Sequence, residues 1–152
     1  MGVNSDFREL FSDFSDAEVR YMIVGGYAVI HHTEPRYTKD IDLWVEPTAD
    51  NGARVLAALT RFGAPTDRLT LDDLTNPDLI YQIGIEPNRI DILMGIQGLQ
   101  FSDAFERSVE TTYGDVAIRV LGLEDLLRAK RTAGRDQDLL DAKRLEDVLN
   151  RR

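Results

Sequence analysis

Hydrophobic residues recur along this chain with two periods, and the period indicates which segments are helices and which are strands. Residues 5–15 have phenylalanine and leucine at three- and four-residue steps, which predicts an amphipathic helix. Residues 21–24 are apolar throughout and predict a buried strand. Gly25 and Gly26 then predict a tight turn, and residues 27–32 predict a short helix that follows it.

The rest of the chain shows the same two patterns. The predicted elements are a strand over 39–45, a helix over 49–62, strands over 78–85 and 89–94, a helix over 101–107, a hairpin of strands 109–113 and 116–120, and helices over 123–132 and 137–149. This order predicts an α+β fold, in which a short mixed β-sheet has helices packed on one face and a C-terminal helical pair.

Length and composition are typical of one globular unit. The chain has 152 residues, of which 43% are hydrophobic and 30% charged. We therefore expect a single domain, with a core over about residues 18–95 and a C-terminal helical segment over about 99–150. The longest apolar stretch is far shorter than the roughly 20 residues that a bilayer span needs, and no secretory signal is visible. These features predict a cytoplasmic location and no membrane contact.

The side-chain inventory limits the chemistry. No cysteine is present, which excludes disulfides, thiolate catalysis and cysteine–zinc sites, and two histidines leave little for a histidine-based site. Any metal would therefore be a hard cation bound by oxygen. The net charge of −9 repels polyanions and argues against a general nucleic-acid coat protein. Six of the 18 basic residues nevertheless fall between Arg128 and Arg144, where they can attract phosphates.

Two aspartates on one strand are the first candidates for chemistry. Asp40 and Asp42 are two residues apart, so their carboxylates share a face of the strand, roughly 6.6 Å apart along it. The two anions repel unless a cation lies between them or one takes up a proton. If the strand that carries Asp91 lies beside this one, a third carboxylate converges, and three aspartate oxygens suit Mg²⁺. A pair of ions about 4 Å apart is typical of phosphoryl and nucleotidyl transfer.

The glycine pair is the second candidate. Gly25 and Gly26 let backbone N–H groups approach a phosphate closely, and the helix that follows favours an anion at its N-terminus. The surrounding sequence matches neither the dinucleotide-binding nor the P-loop fingerprint. A double glycine is more often only a turn, and a D-x-D pair is commonly the solvated face of a strand. Trp44 continues the aspartate face, which argues against a merely solvated face.

These residues resemble a known family. The run "GGYAVIHHTEPRYTKDIDLWV" (residues 25–45) is similar to the signature of the minimal nucleotidyltransferases of the polymerase β-like superfamily, and "RIDILMG" (residues 89–95) is similar to their third aspartate element. The tail "LLRAKRTAGRDQDLLDAKRLEDVL" (residues 126–149) resembles the closing segment of AbiEii-type and related toxin-like nucleotidyltransferases. The resemblance covers most of residues 20–149.

The resemblance implies a role for each matching residue. Asp40 and Asp42 would ligate two Mg²⁺ ions, and Asp91 would complete the metal site and favour deprotonation of the acceptor hydroxyl. Many members have serine at the second glycine position, so the glycine here would act through its backbone alone. The residues that would hold or counter the nucleotide phosphates are Gly25, Gly26 and Lys130, with Arg36 as a weaker candidate and Lys39 as a source of counter-charge.

The same resemblance implies Mg²⁺-dependent transfer of a nucleoside monophosphate from an NTP to a hydroxyl acceptor, with release of pyrophosphate. The acceptor would be a tRNA end, a protein or a small molecule such as an antibiotic, and the acidic net charge favours the last two. The alternative is a catalytically inactive NTP- or partner-binding module of a toxin–antitoxin type system, whose partner is an antitoxin or toxin. A purely structural domain is the third hypothesis. The presence of three aspartates argues against inactivity, because a site freed from catalysis need not keep a repulsive cluster.

Overall fold

The computed structural model describes residues 3–34, 40–85 and 88–152 of the chain. The elements of these residues are, in chain order, α1 (Ser5–Asp16), β1 (Tyr21–Val24), α2 (Gly25–His32), β2 (Asp40–Val45), α3 (Ala49–Phe62), α4 (Leu71–Leu74), β3 (Ile80–Ile83), β4 (Arg89–Leu93), α5 (Phe101–Glu106), β5 (Val109–Tyr113), β6 (Val116–Val120), α6 (Leu123–Ala133) and α7 (Asp136–Asn150). Over the same described ranges, no helix combines the length and the apolar character that crossing a bilayer requires.

Most predicted elements lie where the hydrophobic pattern placed them, with three differences. Strand β3 is shorter than predicted, because its pairing with β4 ends at Ile80 and Gly84 adopts a left-handed φ of 73° just beyond its other end. Helix α2 begins at Gly25 itself, so the glycine pair is the first turn of the helix rather than a separate turn. Helix α4 was not predicted, since a single turn is too short for a periodic pattern and depends on the capping box of Thr70 and Asp73.

The six strands form one mixed sheet in the order β3-β4-β2-β1-β6-β5. Neighbours β1 and β2, β3 and β4, and β5 and β6 are antiparallel, whereas β2 and β4 and also β1 and β6 are parallel. The predicted α+β fold with a short mixed sheet is therefore confirmed. Strand β2 lies between β1 and β4, so its residues have a strand on each side.

Helix α1 covers the sheet face opposite to Asp42. Antiparallel partners share a face, and Tyr21 pairs with Val45, which lies three residues from Asp42 and therefore on the other face. The rings of Phe11 and Phe14 pack on Tyr21 at centroid distances of 6.3 and 5.1 Å. Burial of these large rings stabilises the sheet from the side that carries no charge.

The aspartate face of β2 is covered at one end. Trp44 is only 1% exposed, and the ring of Phe101 from α5 meets it edge-on at a centroid distance of 5.3 Å. Asp40 and Asp42 on the same face are partly buried. The interpretation of this face as more than a solvated strand surface is confirmed.

A buried asparagine ties β1 to β2 at the end of the strands remote from the aspartates. Asn51 of α3 is fully buried, and its side-chain amide donates to the carbonyls of Arg20 and Glu46, each at 3.0 Å. Its side-chain oxygen accepts from the Arg20 N–H at 2.8 Å. Arg20 directly precedes β1 and Glu46 directly follows β2, so this side chain holds the two strands in register.

We expect Asn51→Ala to lower the free energy of unfolding by about 1–3 kcal/mol, because it leaves the Arg20 N–H without its acceptor and removes one hydrogen bond from each of two backbone carbonyls. Urea unfolding followed by circular dichroism measures the change. The exposed Asn150→Ala is the matched control and should change stability by less than about 0.5 kcal/mol. Equal midpoints for the two variants would show that the buried amide does not hold the strands.

Candidate active site

Three carboxylates meet on neighbouring strands. Asp40 and Asp42 extend from β2, and Asp91 extends from β4. In the parallel pairing of these strands Asp42 lies directly beside Asp91. One carboxylate oxygen of each aspartate lies within 4.8 Å of one from each of the others. The expectation that the strand of Asp91 lies beside that of Asp40 and Asp42 is therefore confirmed, and we call these three residues the aspartate triad.

The electrostatics of the triad favour a cation. Burial, followed by repulsion from Asp40 and Asp91, raises the pKa of Asp42 from its ordinary 3.8 to about 7, and the charge of Lys130 opposes this rise. Oδ1 of Asp91 is buried without a hydrogen-bond partner among the described residues. Crowded carboxylates and an unpartnered oxygen fit a hard divalent cation, whose ligands are oxygens.

Arg89 supplies a positive charge at the triad that sequence reasoning did not assign. Its Nη2 donates to Oδ2 of Asp91 at 3.0 Å and lies 3.1 Å from Oδ2 of Asp40. The signal was present in the alternation of β4, because Arg89 stands two residues before Asp91 and thus shares its face. The alternation within β4 did not predict that Arg89 lies beside Asp40, because that contact depends on the pairing of β4 with β2.

Gly25 is required by the carboxylate of Asp42. Its φ is +66°, and a Cβ at this position would overlap Asp42, with Cγ only 2.8 Å away. Sequence reasoning predicted the glycine for phosphate binding, and the structure adds this second reason. Helix α2 begins here with no side-chain cap on its first N–H groups. Uncapped N–H groups beside the triad are suited to an anion.

A cleft of ≈ 360 Å³ joins these parts. The triad, Arg89 and the glycine pair lie along it, and Lys130, Arg135 and Asp138 from the C-terminal helical pair also line it. Its apolar lining includes Ile80, Leu93, Ile96, Leu126, Ala129 and Ala133. The cleft therefore combines a charged region with an apolar wall, as ligand sites commonly do.

Lys130 is held by carboxylates of α7. Its Nζ lies 3.3 Å from Oδ1 of Asp138 and 3.3 Å from Oδ2 of Asp141, and its side chain is 13% exposed. Burial would raise the pKa of Asp138, but hydrogen bonds from Arg135 and Lys130 and their charges outweigh it and hold this pKa below its usual value. The A-G-R and D-x-x-D segment thus forms an ion-pair network that places Lys130 at the cleft.

The structure brings together most of the residues that the sequence singled out. Asp40, Asp42, Asp91, Gly25, Gly26 and Lys130 all line one cleft. Arg36 and Lys39 lie outside the described residues. The roles of the individual residues in binding and catalysis stay predictions.

Comparisons with known proteins agree on one class. A family model described as "Nucleotidyl transferase of unknown function (DUF2204)" matches residues 3–152. A crystal structure of the lincosamide antibiotic adenylyltransferase LnuA, with lincomycin bound, is 17% identical and has a TM-score of 0.61, covering 97% of this chain and 99% of that chain. A putative nucleotidyltransferase from Thermotoga maritima is also 17% identical with a TM-score of 0.61, covering 96% and 91%. At this identity the likeness shows a shared fold. A search of curated proteins found no match.

We expect Gly25→Ala to destabilise the protein by more than the cost of placing an alanine at a positive φ. The reason is that the added methyl group must also displace the Asp42 carboxylate. Gly63→Ala is the matched control, since Gly63 also has a positive φ, of 93°, and nothing lies within 4 Å of its Cβ position. The control should lose about 1–2 kcal/mol, and Gly25→Ala should lose clearly more, measured by urea unfolding. Equal losses of stability in the two variants would show that a methyl group at residue 25 does not clash with Asp42.

We expect the metal-free protein to lose stability as the pH rises from about 4 to 7. Folded Asp42 keeps its proton up to a pKa of about 7, whereas the unfolded chain releases it near 3.8, so the folded state binds more protons in this window. Asp42→Asn should therefore raise the free energy of unfolding by on the order of 2 kcal/mol at about pH 8, and by less at about pH 5.

Urea unfolding in the presence of a chelator measures this difference. Asp103→Asn is the control, because Asp103 is an exposed carboxylate on α5. It should leave stability within about 0.5 kcal/mol at either pH. A gain for Asp42→Asn that does not depend on pH would contradict the assignment of the raised pKa to Asp42.

Proposed function

Because the chain belongs to the DUF2204 family of nucleotidyl transferases, we propose that it transfers a nucleoside monophosphate from an NTP to a hydroxyl acceptor and releases pyrophosphate. The observation that carries the proposal is the convergence of Asp40, Asp42 and Asp91 beside the uncapped N-terminus of α2. Acidic oxygens for a cation and backbone N–H groups for phosphates stand next to each other in one cleft.

The aspartate triad would hold the divalent metal, which we propose to be Mg²⁺, with two ions in the complete site. When bound, the metal would supply positive charge to the attacking and leaving oxygens of the transferred group. Oδ1 of Asp91 has no hydrogen-bond partner among the described residues, and we propose that this carboxylate accepts or orients the proton of the acceptor hydroxyl.

The remaining groups bind and orient the triphosphate. The N–H groups of Gly25 and Gly26 at the start of α2 donate to phosphate oxygens, and the helix dipole adds to their effect. Lys130 and Arg135 supply positive charge from the C-terminal helical pair. We propose that Arg36 and Lys39, on the segment that precedes β2, add to it. Binding of the phosphates by these groups would align the α-phosphate with the acceptor oxygen.

The acceptor class to test first is a small hydroxylated molecule. The cleft of ≈ 360 Å³ is of the size that small ligands occupy, and Ile80, Leu93 and Ile96 give it an apolar wall. The net charge of −9 disfavours the approach of RNA. Lincomycin, the ligand in the LnuA crystal structure, is an example of such a molecule. A protein side chain and a tRNA end remain the other two acceptor classes.

One observation favours the alternative, a nucleotide- or partner-binding module of a toxin–antitoxin type system. Arg89 already neutralises part of the triad, as a cation within the protein would in a site that performs no catalysis. Such a module would bind metal and NTP without releasing pyrophosphate. A catalytic protein would release it once the acceptor is present.

The proposed substrates indicate a cellular location for the protein. NTPs and Mg²⁺ are abundant in the cytoplasm, and we propose that the chain acts there. ATP is the first nucleotide to test. We also propose that the chain works as a single domain, since one continuous hydrophobic core extends from Phe7 in α1 to Leu145 in α7.

We expect Asp42→Asn and Asp91→Asn each to lower nucleotide transfer by at least about 100-fold, because each removes a carboxylate that would hold the metal, and the positive charge of the metal would stabilise the transition state. The measurement incubates the protein with each α-labelled NTP in a cell extract, follows label in macromolecules and metabolites, and quantifies pyrophosphate. Asp103→Asn, with its exposed side chain, is the control and should retain activity. Undiminished turnover in both triad variants would overturn the proposal.

A further inference from the structure

We propose that Arg89 is a built-in counter-cation of the aspartate triad, which a divalent metal must displace and for which nucleotide phosphates offer a new partner. As a result, the site would take up metal together with nucleotide in preference to metal alone. This inference rests on the proposed function, since it concerns the order in which the same site is filled.

The position of Arg89 is set by the sheet. Arg89 lies beside Asp40 in the parallel pairing of β4 with β2, and two residues before Asp91 on its own strand. Its Nη2 therefore reaches two aspartates of the triad at once, with distances of 3.1 and 3.0 Å to their Oδ2 atoms. These are oxygens of the residues that would ligate the metal, so the guanidinium and the metal compete for them.

Binding of a metal ion to the triad costs electrostatic free energy as long as Arg89 lies there. The side chains of Asp40 and Asp91 are only 30% and 14% exposed, so charge interactions at this place are screened less than at an open surface. A metal ion that enters alone must break the contacts of Arg89 and place its own charge beside a guanidinium that has lost its partners. Metal binding alone is therefore weakened by an internal cation.

Arg89 is able to leave the triad. Its side chain is 33% exposed, and both contacts with the triad use the same nitrogen, Nη2. Its Nε has no hydrogen-bond partner within the described part of the chain. The guanidinium fork matches the oxygens of a phosphate and binds them in a bidentate manner. A triphosphate at the N-terminus of α2 would lie in the same cleft as Arg89 and offer it new partners.

Among the described residues, the two other cations that line the cleft are less suited to this role. Lys130 is paired with Asp138 and Asp141, and Arg135 is paired with Asp138 through Nε at 2.6 Å. Both are anchored to α7, whereas Arg89 is anchored to the triad itself. By linkage, if nucleotide strengthens metal binding by releasing Arg89, metal strengthens nucleotide binding by the same factor.

The test measures Mn²⁺ affinity by isothermal titration, with Mn²⁺ alone as the probe. Arg89→Gln should bind Mn²⁺ about tenfold more tightly than the wild type, because the competing cation is gone. Arg135→Gln is the matched control: it removes a positive charge from the same cleft without a contact to the triad, and should change the affinity less than about threefold. Unchanged or weaker binding by Arg89→Gln, or equal tightening by Arg135→Gln, would overturn the inference.

A second experiment measures the same coupling between metal and nucleotide binding through the affinity for a nucleotide. The affinity for α,β-methylene-ATP is measured with and without saturating Mn²⁺, and the ratio of the two gives the coupling. The ratio should be at least about fivefold smaller in Arg89→Gln than in the wild type. An equal ratio would overturn the inference and leave the proposed function intact. A wild type that binds no Mn²⁺ even with the analogue present would overturn both.

Arg89→Lys keeps the test decisive if the glutamine variant does not fold. An ammonium group retains the charge but cannot bridge two carboxylates as a planar guanidinium does. This variant should bind Mn²⁺ with an affinity between those of the wild type and Arg89→Gln. Binding no tighter than that of the wild type would count against the counter-cation role.

Discussion

Mutual repulsion among three partly buried carboxylates is the constraint around which the cleft is arranged. Asp40, Asp42 and Asp91 lie on adjacent strands with oxygens within 4.8 Å of one another, and burial together with the repulsion from Asp40 and Asp91 raises the pKa of Asp42 to about 7. Gly25 leaves room for the Asp42 carboxylate where any side chain would overlap it. Arg89 offsets part of the charge. Gly25 therefore accommodates the cluster of charge, and Arg89 partly neutralises it.

The cluster of like charges destabilises the fold, and apolar packing on the opposite face of the sheet offsets this loss. There the phenylalanines of α1 pack on Tyr21, and the buried residues of β2 and β4 join one continuous core. At the far end of the strands Asn51 binds the backbone before β1 and after β2. The strands that carry the charges are thus held by apolar packing and by a neutral hydrogen-bond network. Functional sites commonly carry such local destabilisation, which the rest of the fold offsets.

The C-terminal helical pair places two basic side chains at the cleft of an acidic protein. Lys130 and Arg135 line the cleft although the chain as a whole carries a formal charge of −9. Their carboxylate partners on α7 are almost fully buried, with Asp138 at 2% and Asp141 at 1% exposure, and Lys130 is itself only 13% exposed, so its ammonium group is held in place. Fixed charges at a site need no rearrangement when a substrate arrives, which is the basis of electrostatic preorganisation.

Local sequence patterns determined the elements of this protein and the composition of its site. Alternation placed Asp40 and Asp42 on one face, and helical spacing with Gly63 gave the bounds of α3, because both patterns reflect backbone periodicity within a few residues. Only the tertiary structure decided that β4 pairs with β2, that Gly25 lies against Asp42, and that Arg89 reaches Asp40. The short helix α4 and the ends of β3 were also not predicted from the hydrophobic pattern. These features depend on strand order, register and packing between residues far apart in the chain, which periodicity within one segment does not encode.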